Sequence, residues 1–217
     1  MQAKKIVAII PIKLNNARLP GKNTKILGGR PLISYVLSYL KKVDEIDEIY
    51  VYCSDTSIED YLEDGIHFLK RPAYLDEPTS NFTQIFESFS RKVDADIYVY
   101  AHATAPYIKS STIKRCIHNV TDKGFDSSFT AEKIQDFIWK DGRPLNFDAA
   151  NVPRSQDIAP IYRETSGVYV FSKQVFERYH RRIGALPCPV EVTKKEQTDI
   201  NYPEDFETAQ LYFNYCD

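Results

Sequence analysis

The chain has 217 residues and a formal net charge of −2, a size and balance that fit one α/β domain with a substantial core and leave no basic field or patch for nucleic acid. Four cysteines, Cys53, Cys116, Cys188 and Cys216, are scattered and form no CxxC pair, so zinc is not expected and reduced cytosolic thiols are the simplest reading. The apolar run after Lys4 and Lys5 is too short for a signal-peptide core or a membrane span, and no later segment approaches that length, so a soluble cytoplasmic protein is expected.

Strand-like and helix-like segments alternate. IVAII, apolar and β-branched, reads as a buried strand, and PLISYVLSYLKKV as a helix with Leu32, Ile33, Val36, Leu37 and Leu40 at helical spacing. EIYVYCS is a second strand, SIEDYLEDG a helix-like acidic stretch closed by Gly65, and IHFLKR a third strand. FTQIFESFSRKV carries Phe82, Ile85, Phe86 and Phe89 on one face. DIYVYAHA is a fourth strand, and SSTIKRCIHNV a helix with Ser110 or Ser111 available as cap. DSSFTAE, GVYVFS and PVEV are later strands. The last helix opens at Pro203, with Glu204 and Asp205 against the positive end of its dipole. This alternation predicts a doubly wound, mainly parallel sheet in one domain spanning residues 1–217, with no repeat or linker to divide it.

One segment breaks the rhythm. Residues 134–163, IQDFIWKDGRPLNFDAANVPRSQDIAPIYR, are polar, turn-rich and dotted with aromatics. Aperiodic stretches this long are usually functional or oligomer contacts, the plainer alternative being a mobile surface excursion.

A second anomaly is PIKLNNARLPGKN, residues 11–23, directly after the first strand. With Lys25 it places four cations, Lys13, Arg18, Lys22 and Lys25, in one flexible loop. Ligands of open parallel sheets bind beyond the carboxyl ends of the strands, so the loop is well placed to hold phosphate. It is neither a Walker loop nor a dinucleotide fingerprint, since GxxxxGK[ST] and GxGxxG are both absent. The alternative is a solvated loop whose lysines face water.

IIPIKLNNARLPGKN followed by GGRPLISYVL resembles the N-terminal signature of the CMP-sugar synthetases, the family of acylneuraminate, pseudaminic-acid and Kdo cytidylyltransferases. KRPAYL, HATAPY, VPRSQD, YRETSGVYVF and DINYPEDFETA follow in the order that family shows, so the resemblance covers nearly the whole chain. It implies a Rossmann-like nucleotidyltransferase fold with residues 134–163 protruding as a dimerisation segment, and transfer of CMP from CTP to a 2-keto sugar acid with release of pyrophosphate. The implied partners are CTP, a small acidic sugar and a second copy of the chain.

By position in the motifs, Lys22, Arg18 and Lys13 are the implied catalytic cations, Lys13 standing where the family usually has Arg and so lacking its paired donors. Pro11, Ile12 and Asn23 join them around the nucleotide, and Arg71 in KRPAYL is expected to read cytosine through its acceptor edge. DINYPEDF matches the family's metal motif, usually Asp-Ile-Asp. Alternation along a strand would point Asp199 and Asn201 to one face, where two oxygens could share Mg²⁺, with Mn²⁺ as a substitute. Asn201 could instead help start the last helix. HATAP, with His102, Thr104 and Ala105, is closer to the pseudaminic pattern than to the sialic one. It lacks the acidic residue of Kdo enzymes, so a sialic-acid-like nonulosonate is favoured. His102 could contact substrate, act in catalysis or simply pack. Arg154 in VPRSQD and Arg163 in YRETSG are implied to meet the sugar carboxylate, Arg154 from the neighbouring subunit, unless each makes only a surface ion pair. Two rivals remain: a nucleotidyltransferase of this sheet class acting on Kdo, a phosphonate or a polyol phosphate, and a non-catalytic nucleotide-binding relative. A structural interaction protein leaves the basic loop and the terminal Asp motif unexplained.

Overall fold

The computed structural model describes residues 4–215. Seven strands form the central sheet: β1 (Ile6–Ile12), β2 (Glu48–Cys53), β3 (Ile66–Lys70), β4 (Ile97–Ala101), β5 (Ser127–Ile134), β6 (Ile161–Ser172) and β7 (Pro187–Glu191). Five helices, α1 (Leu32–Leu40), α2 (Phe82–Ser90), α3 (Ser110–Thr121), α4 (Lys173–Tyr179) and α5 (Pro203–Tyr215), complete the frame. The strand order is β7-β5-β6-β4-β1-β2-β3. β1 to β4 run parallel to one another, β7 runs parallel to β5, and β6 runs antiparallel between β4 and β5. This is the expected doubly wound, mainly parallel sheet.

Because side chains alternate along a strand, β1 feeds two cores. Ala8, Ile10 and Ile12 join Val51, Val99 and the α1 and α3 residues Ile33, Leu37, Ile113 and Ile117. Val7 and Ile9 face the other way, toward Tyr52, Tyr98, Tyr169, Phe171 and the α2 residues Phe86 and Phe89. That second core is aromatic, with Phe86 at 4.8 Å and near a right angle to Tyr98. A third cluster joins Leu19 and Leu27 of the first loop to Ile200, Phe206 and Ala209, and so fastens the start of the chain to its last helix. Between them the chain reverses at Gly28-Gly29, both at positive φ, in a short ladder of Ile26–Leu27 with Arg30–Pro31. A side chain at Gly28 would strike the Phe213 ring, so glycine is needed there on both counts.

Three local expectations change. SIEDYLEDG forms a 3-10 turn over Thr56–Tyr61 rather than an α-helix. Neither Ser110 nor Ser111 caps α3: both lie past its cap residue, Lys109, and Ser110 donates to the Tyr39 carbonyl instead. The cap comes from the far end of the chain, where buried Glu196 accepts from the Lys109 N–H and the Thr112 hydroxyl, so a carboxylate meets the helix dipole. Residues 134–163 are also not irregular throughout. Ile134 ends β5, Ile161 opens β6, and the part between holds a small hairpin of Trp139–Lys140 with Arg143–Pro144 and a 3-10 turn at Ser155–Asp157.

Free thiols are found at Cys53, Cys116 and Cys188, while Cys216 lies outside the described residues. Among the described residues, no three His, Cys, Asp or Glu side chains gather as a metal cluster. No helix among them is long and apolar enough to cross a membrane.

Candidate active site

The four parallel strands β1, β2, β3 and β4 are followed immediately by Lys13, Ser54, Arg71 and His102. Alternation carries Ser54, Arg71 and His102 onto the same side as Tyr52, Leu69 and Tyr100, which pack on the α2 face. One edge of the sheet thus delivers a row of polar groups above one layer, where ligands of open α/β sheets bind.

The basic loop is folded back on the end of the chain. Gly21, at φ 64°, starts a single 3-10 turn over Lys22–Thr24. That turn buries Lys22 and Asn23. The Lys22 ammonium donates to the Ile200 carbonyl at 2.7 Å and lies 3.4 Å from the Asn201 side-chain oxygen. Burial pushes its pKa down, opposed by the charge of Asp199. Asn23 spends its amide on the Lys13 carbonyl at 2.9 Å, which shapes the loop. The Arg18 guanidinium sits 5.3 Å from the Tyr202 ring centre. Lys13, Asn16, Arg18, Lys22 and Asn201 line a cleft of about 350 Å³, so three cations converge on one hollow. Lys25 lies beyond it, over the Phe206 ring.

Residues 199–201 are not in a strand, contrary to the sequence expectation, but lie beside the loop after β4, with the Ile200 N–H bonded to the Thr104 carbonyl. The expected facing still holds. Ile200 is buried in the third cluster, while the Asn201 amide donates to Asp199 Oδ2 at 2.8 Å. Asp199 Oδ1 is buried without a hydrogen-bond partner. Such an oxygen is costly unless something positive meets it, so Asp199 Oδ1 fits a small cation that takes its other ligands from water and phosphate. The Asn201 side-chain oxygen is turned to the Lys22 ammonium and would join only after its amide turns over. The Asn201 side chain does not start α5. Asp205 does, accepting from the Asn201 and Tyr202 N–H groups at 2.8 Å each.

Arg71 is only 3% exposed and pairs with Asp76, leaving its Nε–H buried and unpartnered. His102 is likewise an orphan at Nε2, with burial and the nearby Arg182 and Lys22 charges pushing it down to about 3. It is therefore a neutral ring, fit to hydrogen-bond a substrate but not to carry charge. Arg182 lies 3.6 Å from the Tyr169 ring centre beside it. Ile12 and Ala105 turn their side chains into the first core, so only their backbones can border a ligand, while Thr104 is half-buried with its carbonyl on the Ile200 N–H. Pro11 is partly buried one residue before Ile12.

The two arginines of the later motifs are kept apart. Arg163 lies within β6, paired with Glu132 on β5, and lines a second cleft of about 460 Å³ with Lys194, Asp199, Asn201 and Tyr202. Asn201 borders both clefts, so the two adjoin at the Asp199 segment. Glu132 also takes Lys194, and these two bonds hold its carboxyl below the usual range. Arg154 lies on the excursion with a side chain 73% exposed, bonded to Asp157, and borders neither cleft. Reading the sequence missed Asp76, Glu132, Arg182, Tyr202 and Glu196. Asp76, five residues after Arg71, and Tyr202, beside Asn201, were the two that spacing could have offered.

Known proteins resemble the chain in sequence and in fold. The cytidylyltransferase family model matches residues 7–215. The N-acylneuraminate cytidylyltransferase of Oncorhynchus mykiss is 26% identical over 99% of this chain and 52% of its own length. The 3-deoxy-manno-octulosonate cytidylyltransferase 2 of Hydrogenovibrio crunogenus is 24% identical over 81% of this chain and 78% of its own. The chain spans about half the length of the acylneuraminate relatives it matches. Among solved structures, CMP:2-keto-3-deoxy-manno-octonic acid synthetase complexed with CTP superposes with a TM-score of 0.71 at 17% identity, covering 97% of this chain and 98% of that one. The 4-diphosphocytidyl-2C-methyl-D-erythritol synthase from Anaerococcus prevotii gives 0.67 at 16%, covering 98% and 100%. From fold, site and family match together, this chain is a member of the cytidylyltransferase family.

Proposed function

We propose that this protein transfers CMP from CTP to the anomeric hydroxyl of a 2-keto sugar acid of the sialic-acid-like class. The hydroxyl oxygen attacks the α-phosphorus and releases its proton to solvent, a new P–O bond forms, and the bond from the α-phosphorus to the bridging oxygen breaks with departure of pyrophosphate. The chemistry needs charge neutralisation and alignment more than covalent help. Lys13, Arg18 and Lys22 supply the charge in their common cleft. The observation that carries the reading is the docking of Lys22 against Ile200 and Asn201, which brings the cationic loop and the Asp199 oxygens to one place. Mg²⁺ held by Asp199 and Asn201 would polarise the phosphate oxygens and offset the charge on the leaving group.

Arg71 serves the base. Its free Nε–H meets the acceptor N3 of cytosine, whereas uracil presents an N–H at that position. His102 meets the acceptor as a neutral ring, and Arg163 meets its carboxylate. Arg154 reaches the site of a second copy, since its place on the excursion leaves it outside both clefts of its own chain. Phe137, Trp139, Leu145 and Val152 are exposed on that same excursion and give it apolar surface suited to a homodimer. Incubation with CTP, Mg²⁺ and a panel of 2-keto sugar acids, followed by mass spectrometry, should yield one CMP conjugate and pyrophosphate. Release of pyrophosphate only with a polyol phosphate, or only with another nucleotide, would replace this reading.

A further inference from the structure

Asp76 stands where three strands deliver their first residues. It closes the 3-10 turn Ala73–Asp76 that follows β3. One carboxylate oxygen accepts from Arg71 Nη2 and the other from the Ser54 hydroxyl. Its backbone carbonyl accepts from Lys13 Nζ at 3.3 Å. The Arg71 backbone N–H is tied in turn to the Cys53 carbonyl at 2.9 Å. A long, flexible arginine side chain is thereby locked at both ends, with its orphaned Nε–H held in one direction.

We propose that Asp76 is a positioning residue for base selection, aiming Arg71 through its carboxylate while steadying Lys13 through its backbone. This rests on the cytidylyltransferase reading above, in which Arg71 faces the base and Lys13 the phosphates. The division of labour within one residue gives the inference its test. Side-chain changes at Asp76 free Arg71 but leave the carbonyl that holds Lys13 in place. Base discrimination then fails while phosphate binding survives, whereas general damage would weaken both.

The experiment compares wild type with Asp76→Asn, Asp76→Ala and Ser54→Ala. It measures kcat/KM for CTP and for UTP, inhibition by inorganic tripolyphosphate, and thermal stabilisation by each nucleotide. A charged hydrogen bond predicts a loss of about ten- to a hundredfold in CTP over UTP preference for Asp76→Ala, less for Asp76→Asn and least for Ser54→Ala. Tripolyphosphate inhibition should stay within about twofold of wild type, a change too small to correspond to a lost hydrogen bond. Asp76→Ala leaves the buried Arg71 charge uncompensated, and if it does not fold, Asp76→Asn and Ser54→Ala decide the matter. Folded variants that keep the wild-type CTP to UTP ratio, or that lose CTP, UTP and tripolyphosphate binding together, overturn the proposal. Wild type that is stabilised by CTP over UTP but releases no pyrophosphate overturns the transfer reaction alone, and the thermal-shift comparison then judges Asp76. Wild type with no preference in either assay overturns base reading and positioning together.

Discussion

Residues 13–25 and the excursion between β5 and β6 both depart from regular structure and both carry cations, yet they meet their surroundings in opposite ways. The first loop is held from every side: Lys22 by Ile200, Asn23 by Lys13, Arg18 by Tyr202 and Leu19 by the third cluster. The excursion is held mainly by itself, with Arg154 on Asp157, Asn146 on the backbone at 136 and 138, and Trp139 57% exposed. The lesson is that a single chain orders its cationic loop in advance, while the excursion pairs its charges locally and leaves large apolar side chains exposed. Preorganised cations can act without reorganising during a reaction, and exposed apolar groups call for a partner.

The comparison breaks most sharply at Lys22. Lys22→Ala is expected to leave a folded protein whose turnover has fallen by about a hundredfold or more, from a charge worth about 3 kcal/mol in the transition state. Steady-state rates beside circular dichroism would show it, and near-normal turnover would strip the loop of its phosphate role. Metal comes next. Chelation should abolish turnover, Asp199→Ala should be inactive, and Asn201→Asp should lower the Mg²⁺ concentration needed for half-maximal rate by adding a charged ligand. A rate indifferent to both Mg²⁺ and Asp199 would send the cation elsewhere.

On the excursion, Arg154→Ala should raise the KM for the sugar acid about ten- to a hundredfold and leave CTP affinity as it was, the effect of one charged hydrogen bond. Mixing it with Arg18→Ala should restore some activity through mixed dimers that retain one whole site. A fully active monomer by light scattering would end the cross-subunit account.

His102 offers a smaller, thermodynamic test. Its folded pKa lies well below that of an unfolded histidine, so the unfolded chain takes up the proton first as pH falls. Stability is then unaffected above about pH 6.5 and declines from there toward about 3, by up to about 2 kcal/mol at pH 5. The difference in melting temperature between wild type and His102→Gln at pH 7.5 and pH 5 would reveal it, and a His102→Gln protein with the wild-type pH slope would refute it. Least of all, Lys25→Ala should cost about 0.5–1 kcal/mol of stability through its lost contact with Phe206 and leave turnover unaltered.

The strands were legible because each is a short apolar run between turn signals, and α1 and α2 because their apolar residues recur at helical spacing. Reading Arg18, Lys22, Asp199 and Asn201 as a site rested on a recognisable order of motifs, and in the fold Lys22 lies against Asn201. What escaped was non-local. Nothing near Ser110 says that Glu196 will cap its helix, and nothing near Ser54 says that it will share Asp76 with Arg71. Caps and ion pairs made across the chain obey the same chemistry as local ones, but they have no fixed spacing to betray them.

The bond from Lys22 to Ile200 joins residues 178 apart, and that separation bears on the order of events as the chain is made. The cationic loop is synthesised well before the carbonyl that receives its lysine. Contacts this distant carry a large closure entropy and form late. A nascent chain therefore carries these cations long before it makes the contact that orders them, and α1 and α2 can assemble well ahead of that contact. Pulse-labelled hydrogen exchange during refolding should find the amides of residues 21–25 gaining protection together with α5, after those of the central strands.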